Sequence, residues 1–481
     1  MPLRDLDDLG PLFASMEGRL VGVGMTAYPR ITPCAFIRPY HIVALRKTRD
    51  LSLLRERAGV FCLEEQTDDP LEEENSARLL SHPGAREFLA ALPERKVIFL
   101  YQSYGELEAL AGGQGWKLLA NPASLRVRVA ERAFFEDLTG KLQINRVPGR
   151  FFPLASLYST GYADWSRQMG SRFVVQLPEI GQGGGRGTFF IAAHEDYERL
   201  LKRLKQGTWR GRAIRTIYVR RYIEGLPVSL ALCITRQGIL MSGLQTQLID
   251  LPYCEGLEES GVFCGHSWGE VEWPASVRKE AARQGRIFGE SLAAMGYRGI
   301  LGIDFVMEAG GQRLYPLEIN PRLTGAFPVL SQIHMKHGLI PMEALHILEF
   351  LGIPYDIDVK ALNAQYNRSM QGGHLLLFHS GHSGAEREVS SRGLEAGIYE
   401  FEPRTGKMML VRKDSGFEAI RNERQFMITD GPPAGRTAPR EPLSRLCRLL
   451  FSHPIADVHG TITRETMLSV NRVLDGIFAE T

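Results

Sequence analysis

The chain has 481 residues, 44% of them apolar and 23% charged, which excludes a wholly disordered polymer and leaves room for about three domains. With 57 Lys and Arg against 55 Asp and Glu the net charge is +2, so no general polyanion surface, and no nucleic-acid partner, is expected. No run approaches 18 apolar residues, and Met1–Asp8 has no apolar centre, so neither a membrane span nor a secretory leader is expected.

From residue 17 to 120, short apolar runs alternate with helical patterns. Arg19–Met25, His41–Arg46, Val60–Leu63 and Lys96–Tyr101 read as buried strands, with Leu51–Ala58 and Gly84–Leu92 as helices between them. This alternation predicts a small parallel sheet covered by helices over residues 1–120. Asn121-Pro122-Ala123-Ser124 punctuates its end, and Ser124 is the expected N-cap of a helix running to about Leu138.

Residues 121–355 are longer and mixed. Arg172–Gln176 and Thr188–Ala192 are strands flanking a glycine-rich turn, and Ala213–Glu224, Pro227–Thr235 and Gly238–Leu248 read as three antiparallel strands in series. Val277–Met295 has helical spacing. Ile249–Trp268, rich in Gly and Glu, is either a cover over an acceptor site or a surface loop. Beyond 355, an α+β extension over 356–481 is expected: strands at His374–Phe378, Gly397–Phe401 and Met408–Arg412, a linker at Gly431–Gly435, and helices at Leu443–Phe451 and Glu465–Phe478.

The cysteines at 34, 62, 233, 254, 264 and 447 form no C-x-x-C pair, so reduced buried thiols and a cytoplasmic location are the expectation. A metal held by Cys254, Cys264 and His266 is the alternative, on a spacing that matches no standard zinc pattern. His374, His379 and His382 lie close in sequence, but no cysteine or carboxylate completes a metal set, which favours a polar turn.

Two constellations carry chemistry. In Gly181-Gln182-Gly183-Gly184-Gly185-Arg186-Gly187-Thr188, five of eight residues are glycine, so backbone N–H groups can approach a phosphate with no side chain intervening. The loop is neither a Walker A sequence nor a dinucleotide fingerprint, and a plain hairpin tip is the alternative. In the second, Gly302-Ile303-Asp304-Phe305-Val306 and Leu317-Glu318-Ile319-Asn320 are joined through Glu308-Ala309-Gly310-Gly311-Gln312. Residues 318 and 320 share a face, and a hairpin sets Asp304 across from them. Two carboxylates and an amide oxygen in apolar strands suit a hard divalent cation, and Arg322 can face an anion held there.

Taken together, Gly296–Phe305 followed by Glu318-Ile319-Asn320-Pro321-Arg322, the 181–188 loop and Tyr222-Ile223-Glu224-Gly225 resemble the metal hairpin, lid and adenine hinge of the ATP-grasp superfamily, biotin-carboxylase-like branch. The resemblance covers about residues 20–350. The layout is also similar to the peptide and amide ligases of natural-product biosynthesis, the pheganomycin ligase among them. It implies an α/β (α+β ATP-grasp) architecture: a small parallel-sheet domain over 1–120, a two-lobed ATP-grasp region over 121–355 with its lid at 181–188, and the C-terminal extension. It also implies an ATP-dependent carboxylate–amine ligase that forms an amide or peptide bond through an acylphosphate, with ADP and phosphate released. The metal ligands would be Asp304, Glu318 and Asn320 with two Mg²⁺ ions, and the catalytic residue Arg322. The ATP contacts would be Lys141, Gln176, Gly183, Gly184, Gly185, Arg186, Gly187, Thr188, Arg221, Tyr222, Ile223 and Glu224. The partners implied are a small-molecule carboxylate and an amine (an amino acid or short peptide); a homodimer is the expectation only from how common that assembly is among soluble enzymes of this size. The sequence departs from the family at Gln176, where a lysine is usual, and at Arg220 and Arg221, where an acidic residue is common near the adenine. A biotin-carboxylase-like or kinase-like enzyme, or a catalytically silent ATP-binding module, are the alternatives.

Overall fold

The computed structural model describes residues 3–67, 71, 73–180, 187–254, 260–269, 271, 273–310, 313–378, 387–389, 394–402, 406–438 and 445–478. The first strands, β1 (Arg19–Gly24), β2 (His41–Ala44), β3 (Gly59–Cys62), β4 (Lys96–Phe99) and β5 (Lys117–Leu118), form the parallel sheet that the alternation predicts, in the order β3-β2-β1-β4-β5. Parallel strands must be covered on both faces, and these residues divide accordingly. Leu20, Ile42, Val97 and Phe99 enter one core, and Val21, Val23, Val43 and Ile98 another.

A second, antiparallel sheet has the order β6-β11-β7-β8, from β6 (Gly149–Pro153), β7 (Phe173–Gln176), β8 (Thr188–Ile191) and β11 (Thr216–Arg221); β9 (Thr208–Trp209) and β10 (Arg212–Ala213) make a separate small hairpin. Phe173, Val175, Phe189, Ile191, Ile217 and Val219 pack with the helices 162–169 and 194–204. Period-two alternation therefore turns Gln176, Thr188, Tyr218 and Arg220 to the other face.

The chain then enters an eleven-stranded antiparallel sheet, assembled from β12 (Gly225–Thr235), β13 (Gly238–Met241), β14 (Gln245–Ile249), β15 (Phe263–Trp268), β16 (Gly299–Glu308), β17 (Leu314–Asn320), β18 (Gly372–Phe378), β20 (Gly397–Phe401), β21 (Met408–Arg412), β22 (Gln425–Thr429) and β24 (Arg445–Phe451). A two-residue pair, β19 (Arg387–Glu388) with β23 (Thr437–Ala438), stands apart. The order is β17-β16-β12-β14-β15-β18-β24-β22-β20-β21, with β13 also paired to β12. One face of β12 and β16 is covered by the helices 132–141 and 275–294 (Val228, Leu230, Leu301 and Ile303 with Phe135 and Phe288). The other face is covered by the helix 342–351 near its 233–236 and 299–300 end, where Arg236 binds Glu349 and the Ile300 N–H donates to His346. Because β15 pairs with β18 and β18 with β24, the sheet continues across residues 355–356 without a break.

Several local expectations are corrected. Leu443–Phe451, expected as a helix, contains β24 instead: Leu450 is buried in one core and Leu446, Cys447, Leu449 and Phe451 in another, so with both faces covered the apolar residues, interrupted by Arg445 and Arg448, show no period of two. The run Ala213–Glu224 supplies β11 to a different sheet from β12, and Gly238–Leu248 kinks at Ser242–Leu244 into β13 and β14. Pro122, not Ser124, stands at the N-cap of the helix 123–130, because proline's fixed φ suits entry into a first turn; Glu131, in extended conformation, then separates that helix from 132–141. Gly431–Gly435 is not a linker: Gly431 and Pro432 carbonyls accept from Arg49, which docks the segment on the N-terminal domain. All six cysteines are free and buried. Among the described residues no helix is long and apolar enough to cross a membrane.

Candidate active site

The β16–β17 register sets Asp304 opposite Glu318 and Gly302 opposite Asn320. The side chains meet. Asn320 Nδ2 donates to Asp304 Oδ2 at 2.8 Å and lies 3.4 Å from Glu318 Oε1, and Arg322 donates to Asn320 Oδ1 at 2.9 Å. Gln247 of β14 reaches across β12 and donates to the other Asp304 oxygen at 2.8 Å. Burial first, and the Glu318 charge second, push the Asp304 carboxyl up to about 8, with Arg322 and the Asn320 amide opposing. Asp304 is thus held partly neutral by its burial beside a second carboxylate. That condition, with two carboxylates and an amide oxygen as donors, fits a hard divalent cation.

Two arginines flank this hairpin on the side of the second sheet. The Arg132 guanidinium, at the start of helix 132–141, hydrogen-bonds the Leu317 carbonyl, lies 3.8 Å from Glu318 Oε2 and sits 5.3 Å above the Tyr218 ring. Arg220 of β11 is only 8% exposed; burial and then Arg132 push it down to about 10, while Glu318 favours its charge. Arg132 does not emerge from motif reading, since it sits in an ordinary amphipathic helix, and Arg220 emerged only as a departure expected near the adenine. On the opposite side, Tyr101, just past the end of β4, places its ring 4.8 Å from the Arg322 guanidinium carbon, and its carbonyl accepts from the Leu323 N–H at 3.2 Å. A position just beyond the carboxyl end of a parallel strand is the one signal that could have pointed to Tyr101.

The residues expected to contact the nucleotide divide. Gly183, Gly184, Gly185 and Arg186 lie outside the described residues. Gly187 has φ +75°, and a Cβ there would come 3.1 Å from Ile180, so the exit of the loop requires glycine. Thr188 is register partner to Gln176, whose Nε2 donates to Thr188 Oγ1 at 3.3 Å while its buried Oε1 has no partner among the described residues. Tyr222, Ile223 and Glu224 bridge β11 and β12. Arg172 stacks on the Tyr222 ring at 4.0 Å, Ile223 packs with Val306 and Tyr315 of the hairpin, and the Glu224 carbonyl accepts from the Ala309 N–H. Arg221 is exposed. Lys141 ends helix 132–141 in an exposed pair with Asp137 at 2.7 Å, and no described contact joins it to the hairpin.

The same sheet face continues as a buried polar row. Ser229, register partner of Asp304, accepts from Gln245 at 2.8 Å and lies 3.2 Å from His266 Nε2; His266 Nδ1 lies 3.0 Å from His374 Nε2. Burial pushes His266 down to about 3. So His266 belongs to this row, whereas Cys254 and Cys264 touch each other, Sγ to Sγ 3.3 Å. Among the described residues no three of His, Cys, Asp and Glu gather as a metal group. His379 and His382 lie outside the described residues, as do positions 255–259 of the expected cover. The expected cover is in part a strand, because its residues Phe263–Trp268 form β15 between β14 and β18, and near its middle the Ser260 N–H donates to the Thr188 carbonyl at 3.2 Å, which ties it to the strand leaving the glycine loop.

Residues 167–326 match the family described as the ATP-grasp domain. A curated relative, "[Butirosin acyl-carrier protein]--L-glutamate ligase" of Niallia circulans, is 26% identical over 171 residues, which is 34% of this chain and 36% of the relative; the match thus spans about a third of the relative's length. Biotin carboxylase from Campylobacter jejuni is similar in structure, with a TM-score of 0.58 at 14% identity over 96% of this chain and 92% of that one. So is phosphoribosylamine–glycine ligase from Thermotoga maritima, at 0.54 and 12% over 95% and 96%. The fold is the ATP-grasp fold, with a parallel-sheet N-terminal domain and a large antiparallel sheet.

Proposed function

We propose that this chain is an ATP- and Mg²⁺-dependent carboxylate–amine ligase. The observation that carries the reading is the convergence of Asp304, Glu318, Asn320 and Arg322 on one hairpin face, in a chain whose residues 167–326 match the ATP-grasp domain. A relative named for ligating an acyl-carrier protein and L-glutamate supports the amide-forming chemistry.

In this reading a carboxylate oxygen attacks the γ-phosphorus of ATP and the bond to the β-phosphate oxygen breaks, giving an acylphosphate and ADP. The amine nitrogen then attacks the acyl carbon, phosphate leaves with the acyl C–O electron pair, and the amine loses a proton. Asp304, Glu318 and Asn320 would hold Mg²⁺, which supplies the charge that lets two anions approach. Arg322, fixed by Asn320 and Tyr101, offers its planar fork to the phosphoryl group. Arg132 and Arg220 supply the positive charge that Gln176 does not, beside the same hairpin. In this reading the backbone of Tyr222–Glu224, at the junction of two sheets, would meet the adenine, and the 181–188 loop would exclude water.

Gln176 is the specific observation that favours a silent nucleotide-binding module as second reading. One experiment separates the two. Amino acids and short peptides are supplied in acid–amine pairs with ATP and Mg²⁺, while ADP and product mass are read. ADP that forms only with a cognate pair, with the condensed mass, is the expected result. ATP binding without turnover across the pairs would leave the silent module, and a bicarbonate-dependent ATPase would move the assignment to a carboxylase.

A further inference from the structure

Asp304 takes an amide hydrogen bond on each oxygen, from Asn320 on Oδ2 and from Gln247 on Oδ1, both at 2.8 Å. The first comes from the hairpin itself. The second comes from β14, which does not adjoin the hairpin, since β12 lies between β14 and β16. The reach is possible because β12 shows short side chains on this face: Ser229, the register partner of Asp304, and Pro227, two residues before it. A leucine or phenylalanine at either position would stand in the path.

Neighbouring side chains pin β14 against sliding. Gln245, two residues earlier on the same face, has both ends of its amide engaged: Nε2 donates to Ser229 Oγ at 2.8 Å, and Oε1 accepts from the Trp268 indole at 2.9 Å. On its other edge β14 pairs with β15, with Gln247 opposite His266. A slip of one residue would turn both glutamines to the opposite face. Residue type matters as much as place. A lysine or arginine at 247 would neutralise Asp304 and compete with a metal for it. An amide orients the carboxylate, leaves its charge, and leaves a second lone pair on Oδ1. That combination suits the partner of a metal ligand rather than an ion pair.

We propose that Gln247 is a positioning residue that acts through Asp304, holding its carboxylate in the orientation in which a divalent cation is bound. Without it Asn320 alone holds the carboxyl, which can then turn about the Cβ–Cγ bond. The inference rests on the ligase reading, in which Asp304 is a Mg²⁺ ligand. It goes beyond that reading by giving β14, the strand that leads into the segment 249–268, a part in metal binding.

The test uses the full chain and an N-methylanthraniloyl derivative of ADP, whose fluorescence reports binding without turnover. Its Kd is measured in EDTA and in saturating Mg²⁺, and the ratio of the two is the coupling between metal and nucleotide. In the parent chain Mg²⁺ should tighten binding. In Gln247→Met, which keeps the length and removes the donor, the ratio should fall about tenfold, while the Kd in EDTA and the urea midpoint stay those of the parent. A merely structural role would move those two as well. If Gln247→Met loses either, Gln247→Asn, which leaves the amide one methylene short of Asp304, is judged by the same criterion. A ratio within about threefold of the parent's, or a loss of affinity in EDTA as large as the loss in Mg²⁺, would overturn the proposal and leave the ligase reading standing. Absence of any Mg²⁺ effect in the parent is a different failure: it would remove the metal from the hairpin and take the ligase reading down with this proposal.

Discussion

Glu318 and Asn320 are individually small parts of a hairpin that would fold without them. Glu318 has a 38% exposed side chain, and Asn320 exchanges one amide for a network that Gln247 and Arg322 also hold. Glu318→Gln or Asn320→Ala is therefore expected to abolish ADP release, by ~10²-fold or more, while far-UV circular dichroism stays that of the parent. Arg322→Ala should lower the single-turnover rate of phosphoryl transfer more than it weakens ATP binding, because its donors are aimed at a charge that develops during reaction. A matched loss in both would remove that role. A separate residue-scale prediction concerns pH. Burial pushes His266 and His334 down to about 3 and His346 down to about 4. Unfolded, each takes a proton near pH 6.5, so between about 3 and 6.5 the unfolded state binds more protons and stability falls on acidification. His334 also leaves both ring nitrogens without a partner among the described residues while stacking on Tyr366 at 4.4 Å. His334→Phe should keep the stack, stabilise the chain by ~1 kcal/mol at pH 8, and stabilise it further at pH 5, as read from urea midpoints at the two pH values.

Elements explain which features a sequence can disclose. The hairpin of β16 and β17 was legible because one local turn joins its strands, but regular alternation would set Asp304 across from Leu317, and it is the register shift between Asp304 and Phe305 that brings Glu318 opposite it. The parallel sheet was legible because strands and helices alternate at regular spacing. Arg132, Tyr101 and Gln247 were not, since each comes from a different element and meets the hairpin only through tertiary order. β24 failed for a different reason: burial on both faces erased the period that tells strand from helix. Strand pairing across β15 and β18 carries its own prediction. Gly265 has φ +155°, and a Cβ there would lie 1.9 Å from the His374 carbonyl oxygen. Backbone, unlike a side-chain tip, has no rotamer by which to yield. Gly265→Ala should cost ~3 kcal/mol in denaturant unfolding, because the two strands must part there and draw the His266 and His374 rings away from each other. A cost under ~0.5 kcal/mol would show that the two strands separate freely.

At the scale of the molecule, the C-terminal residues behave as part of the main sheet. β18, β24, β22, β20 and β21 extend it outward from β15, and the helix 464–478 sends Val470, Val473 and Ile477 into the core that holds Leu375 and Leu449. The N-terminal domain is bound into the same body. Its Leu20 and Phe99 share a core with Ile333, Leu345 and Met427, and Asp50 accepts hydrogen bonds from Thr429 and from the Asp430 N–H at 2.9 Å. Cores that cross the sequence divisions at 120 and 355 couple the unfolding of the regions on either side. Denaturant curves followed by a fluorophore in the N-terminal sheet and by one on β22 should therefore coincide, with a single midpoint. Removal of residues 372–481 should do more than shorten the chain: it strips β15 of its partner β18, leaving β14 alone beside it, and uncovers the apolar face formed by Leu248, Leu251, Val262 and Cys264. An open edge beside an apolar face is a template for aggregation, so the truncated chain should be recovered insoluble. A soluble, monomeric 1–371 fragment with a cooperative transition would instead mean that the large sheet closes at β15, and that the C-terminal strands are an attachment to a complete fold.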